Sequence, residues 1–434
     1  MHALGLRVSV GLTLAMGAAA ACSSSFASGG HGSDGGTSGD DSSVPCCSSS
    51  SGGMNAEGGS GGGEGGQPGP DGPTSCQTQI DVTVLDPSGR YPLPNVSVFL
   101  SNAALPAISP GVMGACPPVG SGAMKTAADG TPVSLTMTSV PGTSQTVVGQ
   151  IGKWRATGTA KACQHTTLKL TLPAAGPAIA ISTGASDSTE CSLHRMGLDS
   201  VVTLYTGAGG AQKATPALPS PGSLWDTLPH LEAYDAVILS CEGAATTSPS
   251  SPFLSQYLQA GGMVFAEHWH YVWFNAAPFA AENIAAWESS APLRGAPAIV
   301  ATSTPAEASR EHWLSDVKAL SSNGDLPITS DDRVATLSAA NVATPWMTQD
   351  NGDGGVGPPL LFSWTEPVAG PPAGRVVFAG FHVGATSGDY GQPPGNEAVP
   401  AGAVFPTGCA SESDLTPEEK AFLYTLFVDL SCTP

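Results

Sequence analysis

The residue types best suited to chemistry crowd into Gly261-Gly262-Met263-Val264-Phe265-Ala266-Glu267-His268-Trp269-His270-Tyr271-Val272-Trp273. A Gly-Gly break ends one helical pattern and launches a short apolar run. That run stops at a carboxyl group, two imidazoles and three aromatic rings. If it is a strand of an open α/β sheet, its carboxyl end is where such sheets place ligands. On an extended chain His268 and His270 stand two apart and share a face. A third imidazole, His382, follows a later apolar run, Gly374-Arg375-Val376-Val377-Phe378-Ala379-Gly380-Phe381. Imidazoles at strand ends, with Glu267 or Asp389 beside them, have the donors for proton transfer or for a divalent metal. The competing reading is aromatic packing around hydrogen-bonded, inert histidines. There is no H-E-x-x-H or cysteine-pair spacing, so the metal's identity stays unknown and no motif implies a cofactor.

Cys241-Glu242 closes another apolar run, Tyr234-Asp235-Ala236-Val237-Ile238-Leu239-Ser240. A cysteine on a strand-to-turn junction can be a nucleophile when a base is near. In an oxidising compartment a disulfide to Cys191 is the simpler expectation. Asp350-Asn351-Gly352-Asp353-Gly354-Gly355 lacks the glutamate of an EF-hand twelve residues on and reads as a surface turn. His194, His230 and His312 have no partner pattern.

The elements that must position these residues form two groups. Over 174–434, near-continuous apolar runs (Ala178–Gly184, Ser200–Tyr205, Tyr234–Gly243, Met263–Ala266, Gly374–Val383) alternate with helical stretches, which predicts a parallel sheet covered on both faces. An insertion at about 275–373 interrupts the pattern. The chain closes on Thr416-Pro417-Glu418-Glu419, a capping box with Pro in the first turn, then Leu423, Leu426, Phe427 and Leu430 at helical spacing. Over 76–173 the runs are shorter and alternate, with turns at Asp86-Pro87-Ser88-Gly89 and Ala128-Asp129-Gly130-Thr131. That pattern predicts an all-β sandwich.

Upstream, Met1 to Arg7 and the apolar run Val8 to Ala21 have the layout of a secretory signal, too short to span a bilayer. From Ser23 to Ser75 the chain is mostly Ser and Gly, a composition that cannot offset its ordering entropy. As a disordered tether, 22–75 would reach about 40 Å. Residues 76–434 exceed what one core usually organises, so two domains are expected. Net charge is −20, from 15 basic and 35 acidic residues, which excludes a phosphate-neutralising surface and hence nucleic-acid partners.

Three resemblances extend this reading. Ala19-Ala20-Ala21-Cys22 resembles the lipobox of bacterial lipoproteins, implying signal 1–21, a lipidated Cys22 and anchorage in the cell envelope. Ser23 after it leans to the outer membrane of a Gram-negative bacterium. Asp86-Pro87-Ser88-Gly89, Pro92-Leu93-Pro94-Asn95-Val96, Thr126-Ala127-Ala128-Asp129-Gly130 and Val140-Pro141-Gly142 resemble the carboxypeptidase regulatory-like (transthyretin-like) domain, a structural module without catalytic residues. The stretch Ser101 to Lys125, with Cys116, departs from it. Residues 177–273 and 374–384 resemble the class I glutamine amidotransferase-like, flavodoxin-type domain. That family carries its nucleophilic Cys after the strand ending here at Ala266, where this chain has Glu267-His268-Trp269. The resemblance therefore implies a degenerate amidotransferase-like domain, closer to the ThuA-like branch with His268 at the elbow.

Of ten cysteines, Cys46-Cys47 lie in the tether, and bridges within domains pair Cys116 with Cys163, Cys191 with Cys241 and Cys409 with Cys432, leaving Cys76 for the tether pair. The leading expectation is a lipid-anchored, non-catalytic binding module for an extracytoplasmic ligand or protein. The alternative is a hydrolase for sugar or peptidoglycan-type substrates using Glu267, His268, His270 and His382. Mass spectrometry of the mature N-terminus is expected to find a diacylated Cys22; an unmodified residue there rules out the anchor.

Overall fold

Alternation along Thr78, Ile80, Val82 and Val84 buries one side of β1 (Cys76–Leu85). Further strands follow: β2 (Ser97–Ser101), β3 (Met124–Lys125), β4 (Val133–Ser139), β5 (Ser144–Ile151), β6 (Trp154–Lys161) and β7 (His165–Thr171). They make a three-stranded sheet, β4-β1-β7, and a four-stranded sheet, β3-β2-β5-β6. The two sheets close on each other where side chains are missing. A Cβ on Gly149 would come within 3.0 Å of Val84, and one on Gly158 within 2.7 Å of Leu170. The computed structural model describes residues 75–112, 114–173, 175–184, 186–207, 220–288, 296–329, 335–338, 342–350, 356–368, 371, 373–384, 409 and 414–432. The signal, Cys22, the tether with Cys46-Cys47, most of the Asp350–Gly355 turn, and Asp389 lie outside the described residues.

The apolar runs of the second region become β8 (Ile179–Thr183), β9 (Val202–Thr206), β10 (Ala236–Leu239), β11 (Met263–Glu267) and β17 (Gly374–Ala379). These five strands are mutually parallel, in the order β17-β11-β10-β8-β9. The stretch expected only as an insertion extends the same sheet antiparallel. It contributes β13 (Ala298–Val300), β15 (Thr344–Asp350) and β16 (Val356–Glu366), and a separate pair, β12 (Ala285–Trp287) with β14 (Ala335–Leu337). The sheet is therefore mixed and eight-stranded rather than parallel throughout. Prolines and glycines in Val356-Gly357-Pro358-Pro359 hid β16 from a pattern search.

Successive residues of each parallel strand feed opposite layers. Ile179, Ile181, Ile238, Phe265 and Val377 join one apolar cluster, whereas Ala180, Val237, Val264 and Phe378 join the other. The second cluster takes Leu254, Tyr257 and Leu258 of the helix Ser251–Gln259. The first takes Phe422, Leu423 and Phe427 from the terminal helix Pro417–Tyr424 and its continuation, a π-turn over Thr425–Asp429. The Thr416–Glu419 capping box forms as the sequence suggests. No helix among the described residues is long and apolar enough to cross a membrane.

Sheet membership changes at about residue 174, but the packing does not, since residues 68–434 form one compact unit. The first cluster includes Val82 and Trp154 together with Phe265 and Phe427, and Trp154 lies 4.8 Å from Phe427 between ring centroids. Lys153 pairs with Asp235 at 2.6 Å, and Trp313 donates its indole N–H to Pro92 O at 2.5 Å.

The bridges differ from every pair expected. Cys76 joins Cys163, Cys116 joins Cys432, and Cys191 joins Cys409, with Cα–Cα separations of 5.3, 5.9 and 4.8 Å. Cys241 stays outside them. Parallel pairing of β1 with β7 puts Cys76 beside Cys163, and the docked terminal helix delivers Cys432 to Cys116. Pairing within sequence neighbourhoods could not anticipate contacts made by strand register and helix docking.

Arg310, on the helix Pro305–Asp316, is 3% exposed and gives both Asp429 oxygens hydrogen bonds of 2.9 and 2.8 Å. Its guanidinium lies 3.9 Å from the Trp346 ring centre and 5.0 Å from that of Tyr424. Removing one partner of a buried ion pair strands the other charge. Arg310→Ala is therefore expected to cost about 3–5 kcal/mol in denaturant unfolding; a loss within the range of surface substitutions contradicts this account.

Candidate functional site

Four neighbouring parallel strands, β17, β11, β10 and β8, end at one place. Just beyond their carboxyl ends stand His382, His268, Cys241 and Asp187 respectively. The backbones approach closely there: a Cβ on Gly184, one residue past β8, would fall 1.9 Å from Cys241 O. Only glycine lets the two loops meet.

Asp187 is wholly buried and both of its oxygens are engaged. One lies 2.6 Å from His382 Nδ1, and the other accepts the Val383 N–H at 3.0 Å. Burial alone would lift this carboxyl, but the facing His382 and a hydrogen bond with Glu267 outweigh it and hold Asp187 below the usual carboxylate range. Glu267 goes the other way. Burial first, then the Asp187 charge and the hydrogen bond between the two, push it well above its ordinary value, so it keeps its proton. Glu267 also accepts the Cys241 N–H at 3.1 Å and the Thr189 hydroxyl at 2.8 Å. Thr189 reaches Ser240 Oγ at 2.8 Å, completing the polar floor.

Above that floor, Cys241 Sγ lies 3.3 Å from His268 Nε2. The His268 and His382 rings meet edge to face, with centroids 4.4 Å apart. Ligating atoms of Cys241, His268 and His382 all lie within 4.8 Å of one another, and so do those of Asp187, Cys241, Glu267 and His382. Cys241, Glu267 and His268 are 0% exposed and His382 is 7% exposed. The arrangement can hold and pass a proton between oriented imidazoles and a neutral carboxylic acid, and its thiol and imidazoles can ligate a metal.

Of the residues singled out in the sequence, Glu267, His268 and His382 converge. His270 does not. β11 ends at Glu267, and His268–His270 forms a 3-10 turn, in which residues two apart no longer share a face. His270 sets Nδ1 on Glu267 O at 3.3 Å, packs edge-on against Trp273 at 4.8 Å, and stays outside the cluster. Cys241, expected in a disulfide, is instead part of the centre. Asp187, Thr189 and Ser240 were not legible. The available hint was only that Asp187 follows an apolar strand, a position shared by many turn residues.

No protein-family model matches the sequence, and no curated protein does. Among solved structures, the exo-beta-1,4-mannosidase Op5Man5 from Opitutaceae bacterium strain TAV5 aligns at 15% identity over 48% of this chain, with a TM-score of 0.27. The alignment spans 31% of the mannosidase. The mmIFT52 N-terminal domain aligns at 12% identity over 59% of this chain and 98% of its own length, with a TM-score of 0.33. Likenesses this slight carry no argument about fold or activity.

Burial holds His270 neutral, down to a pKa of about 3 against an ordinary 6.5. Between these values the unfolded chain binds a proton that the folded chain refuses, so stability falls as the pH drops from about 6.5 towards 3. His270→Phe keeps the ring on Trp273 without the titrating group. Its unfolding free energy is expected to depend less steeply on pH in that window than the parent's; parallel curves contradict the assignment.

Proposed function

We propose that this chain is a lipid-anchored cell-envelope hydrolase acting on sugar or peptidoglycan-type substrates at the strand-end centre of its eight-stranded sheet. The observation that carries the reading is the convergence of Cys241, His268 and His382 within 4.8 Å, with Asp187 holding His382, at the ends of four adjacent strands. Hydrolysis needs a base fixed in one tautomer and an acid that is neutral when the bond breaks. His382, oriented by Asp187, is the base, and Glu267 is the acid. The reading assigns the two small sheets to a regulatory-like sandwich that serves as a stalk. It assigns the parallel strands to a flavodoxin-type, amidotransferase-like core without the family's elbow cysteine. Support for the setting is the Ala19-Ala20-Ala21-Cys22 lipobox, the Ser/Gly tether and the disulfides.

One observation favours a second reading. The centre's side chains are almost wholly enclosed, as suits a non-catalytic binding module whose polar knot fastens strand ends.

Turnover of chromogenic glycosides and purified peptidoglycan decides between them. The hydrolase is expected to release product, with His382→Ala and Asp187→Asn lowering the rate by roughly 10²–10⁴-fold, measured below their lowered melting temperatures on protein shown to be folded by circular dichroism. No release by the parent protein from any of these substrates leaves the binding module.

A further inference from the structure

We propose that Cys241, His268 and His382 bind one divalent transition-metal ion of the zinc class, with Asp187 as the carboxylate that orients His382. The inference rests on reading this cluster as the reactive centre. An ion there would occupy the Nε2 lone pair of His382, so in the metal-bound form His382 is a ligand rather than the base. Bonds of about 2.3 Å to thiolate sulfur and about 2.0–2.1 Å to imidazole nitrogen put tetrahedral neighbours on one ion roughly 3.3–3.8 Å apart. Cys241 Sγ and His268 Nε2 are already 3.3 Å apart, and the third ligating atom lies within 4.8 Å of both. His382 gives Nδ1 to Asp187 at 2.6 Å, which directs Nε2 to the ion. That carboxylate–histidine–metal relay raises the imidazole's basicity and fixes its ring.

One thiolate and two imidazoles form a donor set suited to zinc, and three protein ligands leave a fourth position for water or substrate, as catalytic rather than structural sites do. The cysteine chemistry agrees. The other cysteines among the described residues are all in disulfides, whereas Cys241 is enclosed beside an imidazole. Binding replaces the thiol proton, which leaves to solvent, so affinity rises with pH.

The test uses the full chain, purified without reductant, stripped with chelator and titrated with Zn²⁺ by calorimetry and with Co²⁺ by absorption. One ion per chain and a cobalt–thiolate charge-transfer band are expected on the parent protein. Cys241→Ser should abolish the band, and Asp187→Asn should weaken uptake by about 10–100-fold. His270→Ala should retain both. Absence of saturable uptake, or uptake and band unchanged in Cys241→Ser, overturns the site. Metal uptake without turnover of any glycan supports the site and overturns the hydrolase. Turnover by a parent protein that shows no saturable uptake overturns the site alone.

Discussion

A buried carboxylate must be fully occupied or it destabilises the fold by several kcal/mol, and Asp187 meets that demand by binding two segments at once. Its oxygens take His382 and the Val383 backbone, so the chain just after β8 is tied to the loop after β17, at the far side of β10 and β11. Glu267 and Thr189 then sit on this tie, and Cys241 hangs its N–H on Glu267. The centre is one hydrogen-bonded unit, in which moving any strand end disturbs the others. This constraint also sets the charges. Two carboxyls share one enclosed space, so one stays ionised against His382 and the other retains its proton.

The terminal helix does for the whole unit what Asp187 does for the centre. Phe422 packs on Phe265 at 4.5 Å, Phe427 on Trp154 at 4.8 Å, and Asp429 holds Arg310 while its backbone carbonyl takes Arg375. Cys432 then locks this helix to Cys116. A helix wedged between the eight-stranded sheet and the smaller sheets explains why one apolar cluster runs through both. The consequence for function is rigidity: strand ends that carry reactive groups are braced from the layer behind them.

Cysteine usage divides by role. Pairing Cys76 with Cys163 closes the start of the small sheets, and Cys191 with Cys409 fastens the helix Thr189–Arg195 to the segment leading into the terminal helix. Cys241 is excluded from such pairing by position, since its sulfur faces His268 beneath the strand ends. The same residue type thus serves as a covalent brace at the edges and as a donor at the centre.

Local patterning by itself determined the strands β8, β10, β11 and β17, the Thr416 capping box and the switch from alternating to continuous apolar runs, because each depends on side chains only a few residues apart. It also marked Glu267, His268 and His382, since reactive residues after apolar strands end up at a sheet's carboxyl edge. Tertiary structure alone decided the rest. The antiparallel strands β13, β15 and β16 extend the sheet beyond β17, and Pro345 in β15 and Gly357, Pro358 and Pro359 in β16 mask the pattern of those two. His270 left the centre because a 3-10 turn rather than a strand follows Glu267. Cys241 and Asp187 entered it, and the six disulfide cysteines found distant partners, because strand order and helix docking bring together residues that no sequence period relates.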